Sequence, residues 1–285
     1  MAAPPVVTLT TDFGTADGYV GAMKGVILGI APSACLVDIS HEITQHCVRE
    51  AAFVLHNVYP HFPQGTVHLA VVDPGVGSER RPLAFRTPAG VFVGPDNGIF
   101  TYVINRERIH EMVQVSEREY RRDSVSDTFH GRDVFAPAAA YLASGVPLSA
   151  LGPAVDDPVM LAQPLLEIGA GCVKGEVLHV DRFGNAVSSI GRLEWSGEEV
   201  RLCEVLQGSG ESPCVAFPAS SAAVTVGGRE VVGVSHTYTQ VRPGDPVCLV
   251  GSGGHLEIAV REGNGAREFG LKPGDPVVLS WLEKA

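Results

Sequence analysis

The sequence predicts an α/β protein: an N-terminal α/β sandwich with a mostly parallel sheet, followed by a C-terminal antiparallel β-barrel. Three observations carry this expectation. Short apolar runs alternate with helix-like stretches through the first half, as a parallel sheet with crossover helices requires. A proline-rich, aperiodic stretch then interrupts the pattern near Gly152. Beyond it, short apolar runs recur between glycine and proline turns, which is the texture of a small barrel or sandwich.

In chain order, PVVTLT (5–10) reads as a buried strand and DGYVGAMKGVILGIA (17–31) as a helix stopped by Pro32. CLVDIS (35–40) is the next strand, and VREAAFVLHNVYPHF (48–62) the next helix. TVHLAVVD (66–73), LAFRT (83–87) and GVFVGPD (90–96) read as strands, and GIFTYVI (98–104) as either element. VFAPAAAYLASG (134–145) is a helix ended by glycine. Residues 1–155 thus form the first domain, 156–171 a linker and 172–285 the second domain. The second is built from CVKGEVLHVD, EVRLCEVL, REVVGVS, DPVCLVGS, HLEIAVRE and DPVVLSWL. Ligands of open α/β sheets bind off the carboxyl ends of the strands. Asp12, Asp38, Asp73 and Asp96 are expected at such ends.

Composition narrows the function. With 45% hydrophobic and 19% charged residues the chain is globular. A formal net charge of −11 argues against coating nucleic acid or an anionic membrane. A small-molecule partner is expected instead. The six cysteines show no CxxC pair and sit beside apolar residues, which predicts reduced, buried thiols. There is no signal-peptide pattern and no apolar run of bilayer length, so the expected location is cytoplasmic.

Four segments carry candidate chemistry. TTDFG puts Asp12 at a strand end, where a carboxylate can accept both hydroxyls of a ribose; a helix N-cap explains it equally well. VVDPGVGSERR places Asp73 and Arg80 seven residues apart across a glycine turn, suited to an acid–guanidinium pair. A surface salt bridge is the plain alternative. The turn lacks the GK[ST] ending of a phosphate loop. SDTFHGRD offers His130, whose ordinary pKa lies near neutrality, between Phe129 and Gly131. A helix-entry histidine held by Asp133 is the alternative there. DRFGNAVSSI presents Asp181 and Asn185 in a turn, and GSGGHLEIAV a glycine turn, both of which read as structural when taken alone.

Taken together and in order, LTTDFGTADGYVGAMKG, DISHEI, FPQGTVHLAVVDPGVGSERRP, VGPDNGIF, TFHGRDVFAPAAAYLA, DRFGNAVSSI and SGGHLEIAV resemble the S-adenosyl-L-methionine hydroxide adenosyltransferases, relatives of the fluorinase and chlorinase. The resemblance spans almost the whole chain. It implies a homotrimer with the ligand at the subunit interface, S-adenosylmethionine as substrate rather than cofactor, and no metal. The implied reaction is attack of water or hydroxide on ribose C5′, giving adenosine and methionine. The family's water-activating set falls on Asp73, Arg80 and His130, and its ribose-binding aspartate on Asp12. Its other substrate contacts fall on Phe129, Gly131, Asp181, Asn185, Ser252 and Gly253. The halogenating relatives lack the Asp-Arg-His set and carry an insertion for which RRPLAFRTPAGVFVGPDNG has no room. Ser189, Gly251 and Gly253 depart from the usual family residues, and His46 stands where the halogenating enzymes carry an aromatic residue.

Two divisions of labour follow. His130 accepts the water proton while Arg80 fixes Asp73, or Asp73 is the base and Arg80 stabilises hydroxide. Two other functions compete. A metal-dependent hydrolase would draw its ligands from Asp12, Asp38, His41, Asp73, Asp96 and His130. A non-catalytic module would bind adenosine or S-adenosylmethionine without turning it over.

Overall fold

A computed structural model describes residues 3–203, 206 and 215–282. The chain divides into two compact units, Met1–Leu161 and Ala162–Ala285.

In the first unit, β1 (Val6–Thr11) leads into α1 (Tyr19–Ile30), β2 (Cys35–Ser40) and α2 (Val48–Val58). Then come β3 (Thr66–Val71), β4 (Pro82–Arg86), β5 (Gly90–Pro95), α3 (Thr101–Arg106), β6 (Glu111–Gln114) and α4 (Ala136–Ala143). The sheet runs in the order β2-β1-β3-β5-β4-β6. Strands β2, β1, β3 and β5 are parallel, and β4 is antiparallel to both β5 and β6. Strand β3 is buried at all six positions, as expected of a central parallel strand covered on both faces. Helices α1 and α4 cover one face, where Met23 and Ile27 pack on Leu9, Leu69 and Val93. On the other face Leu55, Phe85, Phe92 and Phe100 form a second core.

Several boundaries differ from the sequence expectation. The segment 98–104 becomes helix α3 from Thr101, because Thr101 Oγ1 donates to the Gly98 carbonyl at 2.7 Å and opens a helical turn. Helix α2 stops at Val58, where Pro60 forces a short 3₁₀ turn. Helix α4 is preceded by one π-helical turn, Gly131–Phe135. Asp38 lies inside β2 rather than at its end, and bonds Lys24 at 2.6 Å. Asp12, Asp73 and Asp96 do follow the carboxyl ends of the parallel strands β1, β3 and β5.

The stretch expected as a linker is structured at both ends. Asp157, Val159 and Leu161 bond the first unit through Arg81, Asp96 and Thr101. Further on, β7 (Leu166–Gly169) pairs with β8 (Cys172–Val180).

The second unit continues with β9 (Ala186–Ser188), β10 (Leu193–Ser196), β11 (Glu199–Leu202), β12 (Val215–Pro218), β13 (Ala223–Val226), β14 (Arg229–Val232) and β15 (Val234–Ser235). It ends with β16 (Pro246–Val250), β17 (Leu256–Val260), α5 (Gly265–Phe269) and β18 (Pro276–Ser280). Among the described residues the larger sheet runs β14-β13-β18-β8-β9-β17-β16-β15 with β7 on β8, and β10-β11-β12 form a smaller one. The pairing is antiparallel throughout, except β15 with β16. This nearly closed, barrel-like sheet encloses a core of Val173, Ile190, Phe217, Ile258 and Leu279. The expected strand at 199–206 is β11 to Leu202, and its positions 204 and 205 lie outside the described residues.

Cys35, Cys47, Cys172 and Cys248 are free thiols, Cys203 is half-buried, and Cys214 lies outside the described residues. Only Cys248 of these five is buried, its thiol pushed up to about 12 by burial. Cys35 is exposed because it starts the edge strand β2. No helix among the described residues is long and apolar enough to cross a membrane.

Candidate active site

Strand β3 ends at Val71, and the chain turns through Asp73–Ser78 with Val76 N donating to the Asp73 carbonyl and Ser78 N to that of Gly75. Gly77 sits at φ +77°, and a Cβ there would lie 2.5 Å from the Asp127 carbonyl oxygen. Only glycine meets both demands. The contact seats the Asp73 turn against the segment that carries His130.

That segment is anchored by Asp133. Its carboxylate is fully buried and accepts from Arg122 Nη1, Arg132 Nε and Nη2, and Ser126 N, all within 3.0 Å. Burial alone would raise its pKa, but these donors outweigh burial and hold it below the usual carboxylate range. Asp133 therefore holds the loop, while His130 is free of it and turns to Arg80.

Arg80 donates to Asp73 through Nε, at 2.8 Å to Oδ1 and 3.0 Å to Oδ2, and through Nη2 to Oδ2. The same Nη2 meets His130 Nδ1 at 2.8 Å. The guanidinium also stands 5.1 Å from the centroid of the Phe135 ring. Side-chain exposure is 9% for Arg80 and 5% for Asp73, so this is not the surface salt bridge that the sequence alone allowed. Arg80 is the middle member of a line Asp73–Arg80–His130. Because a guanidinium only donates, His130 Nδ1 must be the acceptor, and the neutral ring carries its proton on Nε2. Burial, and then the Arg80 charge, hold the His130 pKa below its ordinary value.

Arg81 points elsewhere. It bonds Asp96 at 2.7 Å and Asp157 at 2.6 Å. Asp157, with Asp96 after it, raises the Arg81 pKa.

Asp12 caps no helix: α1 begins after Gly18 without a side-chain cap. Asp12 Oδ2 instead accepts from the backbone N–H of His46 at 2.9 Å, where His46 holds φ +64°. Thr11 Oγ1 meets His41 Nδ1 at 2.8 Å, and Gly14 N donates to the His41 carbonyl at 2.7 Å. Phe13, next in sequence to Asp12, packs on Phe129 at 5.9 Å between ring centroids, and Phe129 on Tyr19 at 5.2 Å. Gly131 is buried beside Phe13, Met23 and Phe129. The Asp12 loop and the His130 turn are thus joined through Phe13.

Asp181, Asn185 and Ser252 line a second feature, a cleft of about 770 Å³ in the barrel unit. Asp181 Oδ1 accepts from Phe183 N and Asn185 N, which satisfies the turn-forming reading. Gly253 lies within the turn that Gly254 N closes on the Gly251 carbonyl. The cleft also holds two residues that the sequence reading missed, Tyr238 and Glu257. Tyr238 Oη donates to Glu257 Oε2 at 3.0 Å. Burial, then Asp181, raises the Glu257 pKa against the opposing Tyr238 hydrogen bond. The available signal was an acid interrupting the apolar run LEIAV.

Among the described residues no three His, Cys, Asp or Glu side chains converge as a metal-binding group. Asp38, Asp73 and Asp96 are each engaged by a basic side chain instead.

Residues 7–152 match the family described as SAM hydroxide adenosyltransferase N-terminal domain, and residues 175–278 its C-terminal domain. The chain is 39% identical to an (R)-S-adenosyl-L-methionine hydrolase of Salinispora tropica, over 96% of this chain and 97% of that protein. It is 38% identical to one of Thermus thermophilus, over 96% and 98%. A fluorinase of Actinoplanes sp. is more distant, 27% identical over 97% of each. The crystal structure of an uncharacterized conserved protein from Thermotoga maritima superposes with a TM-score of 0.84 at 34% identity, covering 96% of this chain and 99% of that one. The chain belongs to the SAM hydroxide adenosyltransferase family.

Proposed function

We propose that the protein hydrolyses S-adenosyl-L-methionine to adenosine and L-methionine. The observation that carries this reading is the part-buried line Asp73–Arg80–His130, in which one guanidinium holds both a carboxylate and a neutral imidazole. Its 37–42% identical relatives bear the matching hydrolase name.

The sulfonium is a good leaving group, because displacement neutralises its charge. Oxygen of water forms the new bond to C5′ as the C5′–S bond breaks, and its electron pair stays on the sulfur of methionine. Water loses one proton to become the 5′-hydroxyl of adenosine. The protein's task is to hold the water in line, and positioning contributes up to roughly 7–11 kcal/mol in well-oriented intramolecular reactions. With Nδ1 engaged by Arg80, His130 presents Nε2–H and serves as a donor to the water oxygen. Asp73 is then the proton acceptor, and Arg80 stabilises the charge that develops on oxygen. Asp12 binds the ribose hydroxyls, with Phe129 and Gly131 beside the sugar. Asp181, Asn185, Ser252 and Gly253 receive the nucleoside on the barrel side.

Strands β4 and β5 are joined by residues 87–89 alone, with no room for the insertion expected of a halogenating relative. Phe183, on the rim of the barrel cleft, is 77% exposed, which suits burial by a neighbouring subunit in a homotrimer. Turnover of S-adenosylmethionine in ¹⁸O-water with chloride and fluoride present is the test. Adenosine labelled at the 5′-oxygen is the expected product; 5′-halogenated adenosine, or no turnover, overturns the assignment. Native mass spectrometry reading a monomer overturns the trimer.

A further inference from the structure

The barrel cleft contains a directional chain of hydrogen bonds that the hydrolytic chemistry does not use. Asn185, 7% exposed, donates through Nδ2 to Asp181 Oδ2 at 2.9 Å and to Tyr238 Oη at 3.3 Å. Tyr238 has a single hydroxyl proton and gives it to Glu257 Oε2 at 3.0 Å. It can therefore meet Asn185 only as an acceptor. Both amide hydrogens of Asn185 are thereby committed, and Oδ1 is the amide's uncommitted atom. The Glu257 carboxyl lies against Gly251, where a Cβ would stand 1.7 Å from Oε1, so a side chain at 251 would displace the carboxyl from this position.

We infer that Glu257 and Tyr238 are positioning residues that lock the Asn185 amide with its carbonyl offered to the ligand, so that the cleft selects a purine bearing a 6-amino group over one bearing a 6-oxo group. A locked carbonyl accepts from an exocyclic amine. Opposite a second carbonyl it is left unpaired and repelled, and sites built around such polarity reject the wrong partner strongly. A free amide would rotate and accept either base, so the discrimination resides in the residues behind Asn185. This inference rests on the reading of the cleft as the nucleoside side of the site.

The test is calorimetric titration of the full-length protein with adenosine and with inosine, which carries a 6-oxo group in place of the 6-amino group and, with it, a proton on N1. Wild type should bind adenosine at least about tenfold more tightly, corresponding to about 1.4 kcal/mol. Tyr238→Phe, which keeps the ring, and Glu257→Leu should shrink that ratio about fivefold or more, mainly by improving inosine. Glu257→Gln, whose amide oxygen still accepts from Tyr238, should restore it. A merely structural role would weaken both nucleosides together and leave the ratio alone. Wild-type preference for adenosine with an unchanged ratio in Tyr238→Phe overturns the relay but spares the functional reading. Wild type that binds neither nucleoside overturns both.

Discussion

Arg80 reaches His130 Nδ1 at 2.8 Å with the same Nη2 that bonds Asp73, so the imidazole proton belongs on Nε2. For the proposed hydrolysis, this contact favours the division of labour in which the histidine donates and the carboxylate takes the proton.

Replacement of His130 should separate donation from basicity. His130→Ala is expected to lower kcat about 10²–10³-fold, within the range for a lost proton-handling group. His130→Gln, which still presents an amide N–H, should recover at least about tenfold of that loss. Equal loss in both variants, measured by release of adenosine, would return the base to His130.

Breaking the buried pair should cost stability as well as activity. Arg80→Ala leaves the Asp73 side chain, 5% exposed in the intact protein, without its cation. Removing one partner of a buried pair typically costs about 3–5 kcal/mol. Urea unfolding checks this, and a loss below about 1 kcal/mol would mean that water reaches the carboxylate freely.

Activity should have an acid limb set by His130. Its folded pKa lies below 6.5, because burial first and the Arg80 charge second oppose protonation. Protonated Nδ1 cannot accept from Arg80, so kcat should hold above pH 6.5 and fall as pH drops through the lowered folded value. A profile that instead rises on acidification would contradict the arrangement.

Two buried histidines outside the Asp73–Arg80–His130 line contribute to the acid stability. Burial lowers His68 and His255 each to about 4 from an ordinary 6.5. Between those values the unfolded chain binds more protons, so unfolding free energy rises with pH there. The slope is about 1.4 kcal/mol per pH unit for each histidine, present in full above 6.5 and lost towards pH 4. His255→Gln should flatten the dependence measured by urea unfolding across this window.

Gly77→Ala tests how the two segments are seated. The methyl would meet the Asp127 carbonyl at 2.5 Å from a backbone at φ +77°. A loss of about 1–3 kcal/mol is expected from strain of this kind. Turnover should fall with it, because the Asp73 turn lifts off the His130 segment; full kcat would show that the contact does not register the two.

The alternation of apolar runs made the parallel sheet legible, since a strand such as β3 is covered on both faces and needs no polar side. The three carboxylates at strand ends were legible for the same reason. Asp38 was misplaced because an exposed edge strand tolerates an acid mid-strand. The line through Asp73, Arg80 and His130 could be listed by residue but not ordered, for no spacing says that the guanidinium stands in the middle. Tyr238 and Glu257 escaped notice because their meaning comes from pairing across the barrel, 19 positions apart. The linker expectation missed how Asp157 and Leu161 fasten to the first unit, since aperiodic chain gives no hint of its anchor points.

Arg80 and Arg81 are neighbours with opposite partners, one holding Asp73 and His130 and the other clamping Asp96 and Asp157. Which guanidinium faces which way is decided by the number of residues between Asp73 and the start of β4. The turn is therefore a ruler. Its composition can drift wherever geometry permits, but losing or gaining a single residue would rotate the arginine pair by one place, setting the clamp where the chemistry belongs. Variation in this family should accordingly alter the letters of that turn far more readily than its length.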